Sequence, residues 1–205
     1  MKKCVLFIDT RQGQEYIDVI NQHMKHLKGW ELIVGTTNEA WDNCYKVLGC
    51  RHIVVEEIKS QKDYNYLLTD PEFWQFFLSI NYSRVLLIQH DSGLLKNNMN
   101  DYIEYDYVGA PWTFQEHGGN GGLSLRNPVL MYSICINKPY NIGYGNEDVY
   151  FCNYIKDNNY GKLAPREVCS KFSMEAILEY GTTGYHAIDK YHDQETVNKI
   201  KAQER

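Results

Sequence analysis

Apolar and polar residues alternate in blocks along the first quarter of the chain. Residues 5–8 form a short apolar run, and residues 30–35 and 53–55 form two more. Between these runs, residues 14–27 and 39–48 repeat their apolar positions at the spacing of one helix face. Short apolar runs that alternate with helical segments are typical of a βαβαβ unit. We therefore predict a parallel sheet with helices on its faces.

The clearest strand pattern in the sequence lies at residues 84–89, which predict a central strand of this sheet. It follows a polar segment at residues 59–65 and a helical pattern at residues 71–80, which has a proline at its start. Asp91 comes directly after the strand and one histidine. Because ligands of open α/β sheets bind at the carboxyl ends of the strands, this junction is a favoured place for a functional aspartate.

The second half of the chain has a less regular pattern. It contains an aromatic strand pattern at residues 105–112, a glycine-rich loop at 118–122 and another strand at 123–126. Two helices follow, one from about residue 128 and one from residue 147. We expect one α/β domain over residues 1–205, with a mixed, mostly parallel central sheet. Its first half, about 1–92, is of the nucleotide-binding type, and its second half, about 93–190, shapes the substrate and the catalytic site.

Composition supports a globular domain of a reducing compartment. The chain has 205 residues, of which 43% are hydrophobic, and this is enough for a sizeable core. The net charge of -5 argues against a sequence-independent nucleic-acid binder, which would carry a basic surface. Six cysteines occur without a CxxC pair, so neither a zinc ribbon nor a redox dithiol is indicated.

Targeting signals are also missing from the pattern. No apolar run approaches the roughly 20 residues of a membrane span. The first eight residues are basic and then apolar, but the apolar run ends at Asp9, short of the roughly 7–15 residues of a signal-peptide core. We therefore expect a cytoplasmic protein.

The sequence Gln89-His90-Asp91 permits two interpretations. An aspartate at a strand end can bind Mg²⁺ or Mn²⁺ that also contacts a diphosphate, because hard cations prefer oxygen ligands. Asp91 can equally cap the following turn by accepting from backbone N–H groups. Trp112 is similarly ambiguous, since an indole can lie against the apolar face of a sugar or fill the core.

The glycine-rich loop at residues 118–122 is either a flexible surface loop or a place where the backbone approaches another group closely. It continues directly into the strand pattern at residues 123–126, which favours close approach. Asn120 would then offer an amide to sugar hydroxyls, and Arg126 would anchor the segment.

Glu147 and Asp148 stand at the start of a predicted helix. Acidic residues there complement the helix dipole, which is sufficient reason for both. The functional interpretation makes Asp148 a general base that deprotonates a hydroxyl. His186, a lone histidine after a turn of small residues, can be a metal ligand or a structural residue.

Taken in order, four motifs resemble a family of small glycosyltransferases of the GT-A type. They are LLIQHDS, YDYVGAPW, GNGGLSLR and NEDV, at residues 86–92, 105–112, 119–126 and 146–149. The later FSME at residues 172–175 and GYH at residues 184–186 also match its layout. Part of this family is catalogued only as a domain of unknown function, and some members are encoded by viruses. The resemblance covers about residues 64–186.

The resemblance implies roles for single residues. Asp91 is similar to the last aspartate of the DxD motif, which holds Mn²⁺ on the nucleotide diphosphate, and His186 to a late histidine that completes the metal site. Gln89 stands where the first acid of that motif usually lies, which puts a two-carboxylate site in doubt. Asp148 is similar to the catalytic base of inverting members.

The same resemblance implies the donor site. The residues expected to contact the nucleotide sugar, besides Gln89, are Thr10, Arg11, Lys62, Tyr64, Trp112, Asn120, Gly121 and Gly122. The metal is Mn²⁺, or Mg²⁺ in its place. The nucleotide expected from the family is UDP, and GDP is the second choice. If a virus encodes the chain, the compartment is the host cytoplasm.

The implied function is a metal-dependent inverting transfer of a sugar from a nucleotide diphosphate sugar to a hydroxyl of a glycan or glycoprotein. One alternative is a non-catalytic module that binds nucleotide sugars or glycans. The other is a sugar nucleotidyltransferase. Such enzymes usually have a glycine- and lysine- or arginine-rich loop after the first strand, and the turn at residues 9–13 has a single glycine.

Overall fold

A six-stranded sheet forms the centre of the protein, which we describe from a computed structural model over residues 2–204. Over these residues the strands are β1 (Lys2–Ile8), β2 (Glu31–Thr36), β3 (Arg51–Val54), β4 (Tyr82–Ile88), β5 (Ser92–Leu94), β6 (Tyr107–Gly109), β7 (Leu123–Arg126), β8 (Ser173–Met174) and β9 (Gly184–His186). The central sheet has the order β3-β2-β1-β4-β7-β6. The first four strands are parallel, and β7 is antiparallel to both neighbours. A small second sheet has the order β5-β9-β8.

Helices cover both faces of the central sheet. They are α1 (Gln14–His26), α2 (Asn38–Asn43), α3 (Gln61–Leu68), α4 (Pro71–Ser79), α5 (Pro128–Asn137), α6 (Glu147–Asn158), α7 (Arg166–Phe172) and α8 (Gln194–Lys201). Four short 3₁₀ helices lie at Tyr45–Leu48, Met99–Tyr102, Ile142–Tyr144 and Ile188–Lys190.

The apolar cores on the two faces of the central sheet follow from the two-residue period of the strands. In β1, Leu6 packs in the core that contains α4, α5 and α6, whereas Val5 and Phe7 pack in the core that contains α1 and α7. Both faces of the central strands are therefore buried, which is why β1 and β4 appear in the sequence as continuous apolar runs. The predicted α/β class, with a mostly parallel sheet and helices on both faces, is confirmed.

Three local predictions differ from the structure. The helix expected at residues 39–48 ends at Asn43 and continues as a 3₁₀ turn, where Tyr45 enters the core and its hydroxyl donates to the Arg11 carbonyl at 2.8 Å. The polar segment at residues 59–65 contains the start of α3, which Ser60 caps by accepting from the Asp63 N–H. The aromatic strand pattern at residues 105–112 forms a strand only over β6, Tyr107–Gly109.

Two further features concern cysteines and membranes. All six cysteines are free, and Cys4, Cys135, Cys152 and Cys169 are buried in the cores. Within residues 2–204, none of the helices has the length and apolar character that a membrane crossing requires.

Candidate active site

One cleft of about 630 Å³ opens at the carboxyl ends of β1 and β4. Its walls are formed by the residues after these strands, the start of α3, the loop before β7, the start of α6, and residues near β8 and β9. Ligands of open α/β sheets bind at this edge. Segments from both halves of the chain therefore meet around one polar cavity.

Nine of the site residues expected from the sequence line this cleft. They are Thr10, Arg11, Tyr64, Gln89, Asn120, Gly121, Gly122, Asp148 and His186. Asp91 does not line the cleft itself, but it contacts His186, which does. Lys62 and Trp112 are outside the lining.

Lys62 and Trp112 lie outside the cleft that the other expected donor-site residues line. Lys62 is exposed, and its ammonium lies 5.8 Å from the centre of the Tyr66 ring. Trp112 is 5% exposed and packs in the core, where its ring stacks on Phe114 with centroids 5.2 Å apart. Of the two interpretations of Trp112, the structure favours the core residue.

The turn after β1 presents one fixed guanidinium to the cleft. Arg11 donates from Nε and Nη2 to the two carboxylate oxygens of Asp9, at 2.9 and 2.6 Å. Its guanidinium also lies 4.9 Å from the centre of the Tyr16 ring. The Thr10 hydroxyl accepts from the Ile58 N–H at 3.2 Å and thereby joins this turn to the segment before α3. This bidentate contact with Asp9 fixes the orientation of the guanidinium, so its hydrogen-bond donors are in place before a ligand binds.

Asp91 and His186 meet at the other side of the β4 end. Asp91 Oδ1 lies 3.2 Å from His186 Nε2, which is also 3.0 Å from Gln89 Oε1. On the far side of the ring, His186 Nδ1 lies 3.1 Å from Glu175 Oε1. Asp91 Oδ2 accepts from the Lys190 ammonium at 3.1 Å. The imidazole is thus held between oxygen atoms on both of its nitrogens.

The electrostatics of this group keep Asp91 ionised. Burial alone would raise the pKa of Asp91, but His186, Lys190 and His90 hold it well below its ordinary value. Burial would lower the pKa of His186, but its contacts with Asp91 and Glu175 outweigh burial and raise it. Asp91 is therefore a carboxylate across the neutral pH range.

Asp91 and His186 fit a divalent cation that is shared with a bound ligand. Asp91 Oδ1 is buried without a hydrogen-bond partner in the described chain, although His186 Nε2 is 3.2 Å away. Carboxylate oxygen and imidazole nitrogen both suit Mn²⁺, and such cations often complete their shell with phosphate oxygens and water. Over residues 2–204 no three His, Cys, Asp or Glu side chains are grouped to hold a metal. The chain thus offers two ligands.

The glycine loop is shaped by the protein's own side chains. A Cβ on Gly122 would collide with the His186 ring, and one on Gly121 would collide with the Glu147 carboxylate and the Arg126 guanidinium. The Gly122 N–H donates to Asn120 Oδ1 at 2.7 Å. Close approach, rather than flexibility, therefore explains these glycines, and the groups approached are in the protein itself.

Asp148 lies in the first turn of α6 and is 7% exposed. Its carboxylate accepts from the Gly121 N–H at 2.9 Å and from the Val149 N–H at 2.8 Å. Burial, followed by the charge of Glu147, raises the pKa of Asp148 to about 7. Near neutral pH this side chain can therefore accept or release a proton.

The neighbouring Glu147 forms a buried ion pair with Arg126. Arg126 Nη1 and Nη2 donate to the two carboxylate oxygens at 2.6 and 2.9 Å. The Glu147 N–H donates to Asn65 Oδ1 at 3.2 Å, and Asn65 Nδ2 donates to Asn146 Oδ1 at 3.3 Å. These contacts fix the start of α6 against α3 and β7.

Sequence reasoning assigned no role to Asn65, Glu175 and Lys190, although all three line the cleft. Glu175 had one sequence signal, its place in the FSME motif at residues 172–175. Asn65 and Lys190 had no such signal in the sequence, because their hydrogen-bond partners, Glu147 and Asp91, lie far away along the chain.

Residues 49–187 match the model of a family that is described as protein of unknown function (DUF5672). The chain belongs to this family. No curated protein matches the chain.

Solved structures of glycosyltransferases share the fold at low sequence identity. The apo form of the glycosyltransferase GlyE of Streptococcus pneumoniae TIGR4 is 13% identical, with a TM-score of 0.54 over 95% of this chain and 55% of that one. Mouse xyloside xylosyltransferase 1 is 10% identical, with a TM-score of 0.55 over 94% of this chain and 100% of that one.

A third similar structure carries ligands. The mannosyltransferase PcManGT of Pyrobaculum calidifontis, in complex with GDP-Man and Mn²⁺, is 10% identical, with a TM-score of 0.53 over 80% of this chain and 54% of that one. This chain therefore spans about half the length of GlyE and of PcManGT. At these identities the likenesses establish the fold alone.

Proposed function

We propose that the protein is a metal-dependent inverting glycosyltransferase. It moves a sugar from a nucleotide diphosphate sugar, with UDP as the first choice, to a hydroxyl of a glycan or glycoprotein acceptor. The observation that carries this proposal is one cleft that is lined by Asp148 at one wall and by His186, which contacts Asp91, at another. The similar fold of known glycosyltransferases supports it.

Asp148 is the general base of the proposed reaction. Its two backbone donors fix the carboxylate at the start of α6, and its pKa of about 7 matches a base that works at neutral pH. It takes the proton of the acceptor hydroxyl, and that oxygen forms a bond to the anomeric carbon. The bond between this carbon and the diphosphate oxygen breaks, and the nucleoside diphosphate leaves with the electron pair. One displacement inverts the anomeric centre.

Asp91 and His186 are the residues that would hold the cation, with the diphosphate completing its shell. When bound, Mn²⁺ or Mg²⁺ would offset the negative charge that develops on the departing diphosphate. Lys190 also lines the cleft, and its side chain is 64% exposed, so its ammonium can contact phosphate oxygens.

The remaining cleft residues bind and orient the donor. Arg11 and Thr10 face the nucleoside from the turn after β1, and Tyr64 and Gln89 line the cleft beside them. Asn120, Gly121 and Gly122 form the wall under the transferred sugar. The first half of the chain thus binds the nucleotide, and the second half supplies the acceptor site and the base.

A panel of nucleotide sugars tests this function. The purified protein is incubated with each donor, Mn²⁺ and an array of glycan acceptors, and the released nucleoside diphosphate and glycosylated product are measured by mass spectrometry. We expect one donor to give product, and NMR of the product to show inversion at the anomeric carbon. Tight binding of a donor without product from any acceptor or water would instead identify a non-catalytic binding module.

A further inference from the structure

Arg126 is a charged side chain at the bottom of the cleft wall, below the glycine loop. It is 0% exposed, and Glu147, which receives both of its Nη hydrogen bonds, is 3% exposed. A buried charge is costly unless it is paired and hydrogen-bonded. Even when it is paired in this way, a buried ion pair adds little net stability to a fold.

The backbone of Gly121 connects this pair to Asp148. Its carbonyl accepts from the Ser124 hydroxyl at 2.8 Å and from Arg126 Nη2 at 3.3 Å, while its N–H donates to Asp148 Oδ2 at 2.9 Å. Ser124 is itself held, because its hydroxyl accepts from Arg126 Nε at 2.9 Å. Arg126 thus fixes the carbonyl of Gly121, the residue whose N–H holds the carboxylate of Asp148.

The charges around Asp148 come mainly from the same pair. The ionised groups that act on it are Glu147 of α6 and Arg126 of β7. Tyr107 of β6, Tyr140 before α6 and Cys152 of α6 also interact with Asp148, and burial raises the pKa of each, so they are neutral. Within the pair, Glu147 raises the pKa of Asp148 and Arg126 lowers it by less.

We propose that Arg126 and Glu147 are a positioning pair for the base: Arg126 holds the backbone of Gly121 that orients Asp148, and Glu147 offsets the charge of Arg126 beside that carboxylate. Glu147, although it lines the cleft and carries a carboxylate, is not a second base. Only the role of Asp148 as a base rests on the proposed function. The effect of the pair on the titration of Asp148 can be measured without turnover.

The first test is the variant Glu147→Gln, with Glu167→Gln in the exposed first turn of α7 as the matched control. The variant removes the negative charge and leaves Arg126 unpaired near Asp148. The titration midpoint of the Asp148 carboxyl, followed by ¹³C NMR, should fall by at least about one pH unit, because a nearby positive charge favours the ionised form. The acidic limb of kcat/KM against pH should fall with it, and Glu167→Gln should change neither.

The second test is the double variant Glu147→Gln with Arg126→Met, which removes both charges and keeps an apolar side chain of similar length in the buried site. We expect the midpoint of Asp148 to rise again from that of Glu147→Gln toward the wild-type value. We expect kcat to stay lower by about ten- to a hundredfold, since the Gly121 carbonyl has lost the Arg126 donor and Ser124 has lost its contact with Arg126, with the KM for the donor unchanged. This variant also tests the positioning role if Glu147→Gln alone does not fold.

Three results would overturn the inference. An unchanged Asp148 midpoint in Glu147→Gln would show that the pair does not act on Asp148. Loss of turnover at every pH in that variant, with an unchanged midpoint, would make Glu147 itself the base. Full kcat in the double variant would remove the positioning role. If the midpoints shift as expected but the wild type transfers no sugar, the proposed function fails and the pair still acts on Asp148.

Discussion

The carboxyl of Asp148 links the stability of the protein to pH. Its pKa of about 7 in the folded protein lies above the ordinary 3.8. The folded state therefore binds this proton more tightly, so the stabilisation is complete below about pH 4 and is lost as the pH rises through 7. The cause is burial of a group whose ionised form prefers water.

Asp148→Asn removes this titration. The free energy of unfolding of the wild type, relative to this variant, should fall by about 3 kcal/mol between about pH 5 and pH 8. Urea unfolding at both pH values measures the difference. The control is Asp157→Asn, which makes the same substitution at an exposed position of α6. A difference that does not change with pH would mean that Asp148 ionises as it does in water.

Glu175 is predicted to position His186 for the metal. Its Oε1 lies 3.1 Å from Nδ1, so it accepts a hydrogen bond from the Nδ1–H and leaves Nε2 directed at Asp91 and Gln89. Carboxylates that hold a ligating histidine in this way typically change metal affinity about 10- to 100-fold when removed.

The test of this role is Glu175→Leu, with the exposed Glu179→Leu as the control. In the presence of nucleoside diphosphate, the dissociation constant for Mn²⁺, measured by electron paramagnetic resonance, should rise about 10- to 100-fold for Glu175→Leu alone. Glu175→Gln keeps an acceptor and should recover most of the affinity. Equal affinity in all these variants would leave Glu175 as a purely structural residue.

At the scale of elements, the glycine loop before β7 packs between the start of α6 and His186. Gly121 contacts the Glu147–Arg126 pair, and Gly122 contacts the His186 ring. The loop can occupy this place only because neither residue has a side chain.

Gly122→Ala should therefore destabilise the protein by about 1–3 kcal/mol, because the added methyl group must displace the His186 ring. Thermal unfolding without ligands measures this loss. Gly13→Ala is the control, since its added methyl group meets only the carboxylate end of the exposed Glu15 side chain, which can turn away. Equal melting temperatures for the two variants would show that the loop yields without cost.

The elements that the sequence predicted well are those whose pattern is local. The strands β1 and β4 are continuous apolar runs because both of their faces are buried, and α1 and α4 have clear helical periods. The start of α3 was missed, because its first turn is polar and exposed and its signal is the cap at Ser60. The small β5-β9-β8 sheet was missed because strands of two or three residues have no detectable period.

The candidate site was predictable in part for the same reason. Asp148 and Asp91 stand at the ends of recognisable elements, where functional acids are expected. The partners of His186 and the ion pair of Glu147 depend on which distant segments meet, and nothing in the local pattern of the chain specifies that. Trp112 was ambiguous in the sequence, since an indole suits both a core and a sugar, and its burial resolves the choice.

At the scale of the whole molecule, the cleft joins segments from both halves of the chain. A ligand that spans the turn after β1, Asp91 with His186, and the start of α6 would bind the folded state alone and so stabilise it. At about a hundredfold excess over its dissociation constant, the melting temperature should rise by about 5–10 °C.

Differential scanning fluorimetry with UDP, GDP and their sugars, each with Mn²⁺ or with a chelator, measures this effect. We expect one nucleotide to stabilise the protein with Mn²⁺ and to do so much less with the chelator. Asp91→Asn should remove the part that depends on the metal, and Asp157→Asn should keep it. Equal stabilisation with and without metal would contradict the assignment of Asp91 and His186.

The most direct measurement of the central claim compares donor binding with sugar transfer in Asp148→Asn. Calorimetry gives the dissociation constant of the donor, and mass spectrometry gives the rate of product formation, on the same preparations of wild type, Asp148→Asn and Asp157→Asn. We predict that Asp148→Asn binds the donor as the wild type does and forms almost no product, while Asp157→Asn behaves as the wild type in both. Near-normal product formation by Asp148→Asn would contradict the assignment of the base and the mechanism that depends on it.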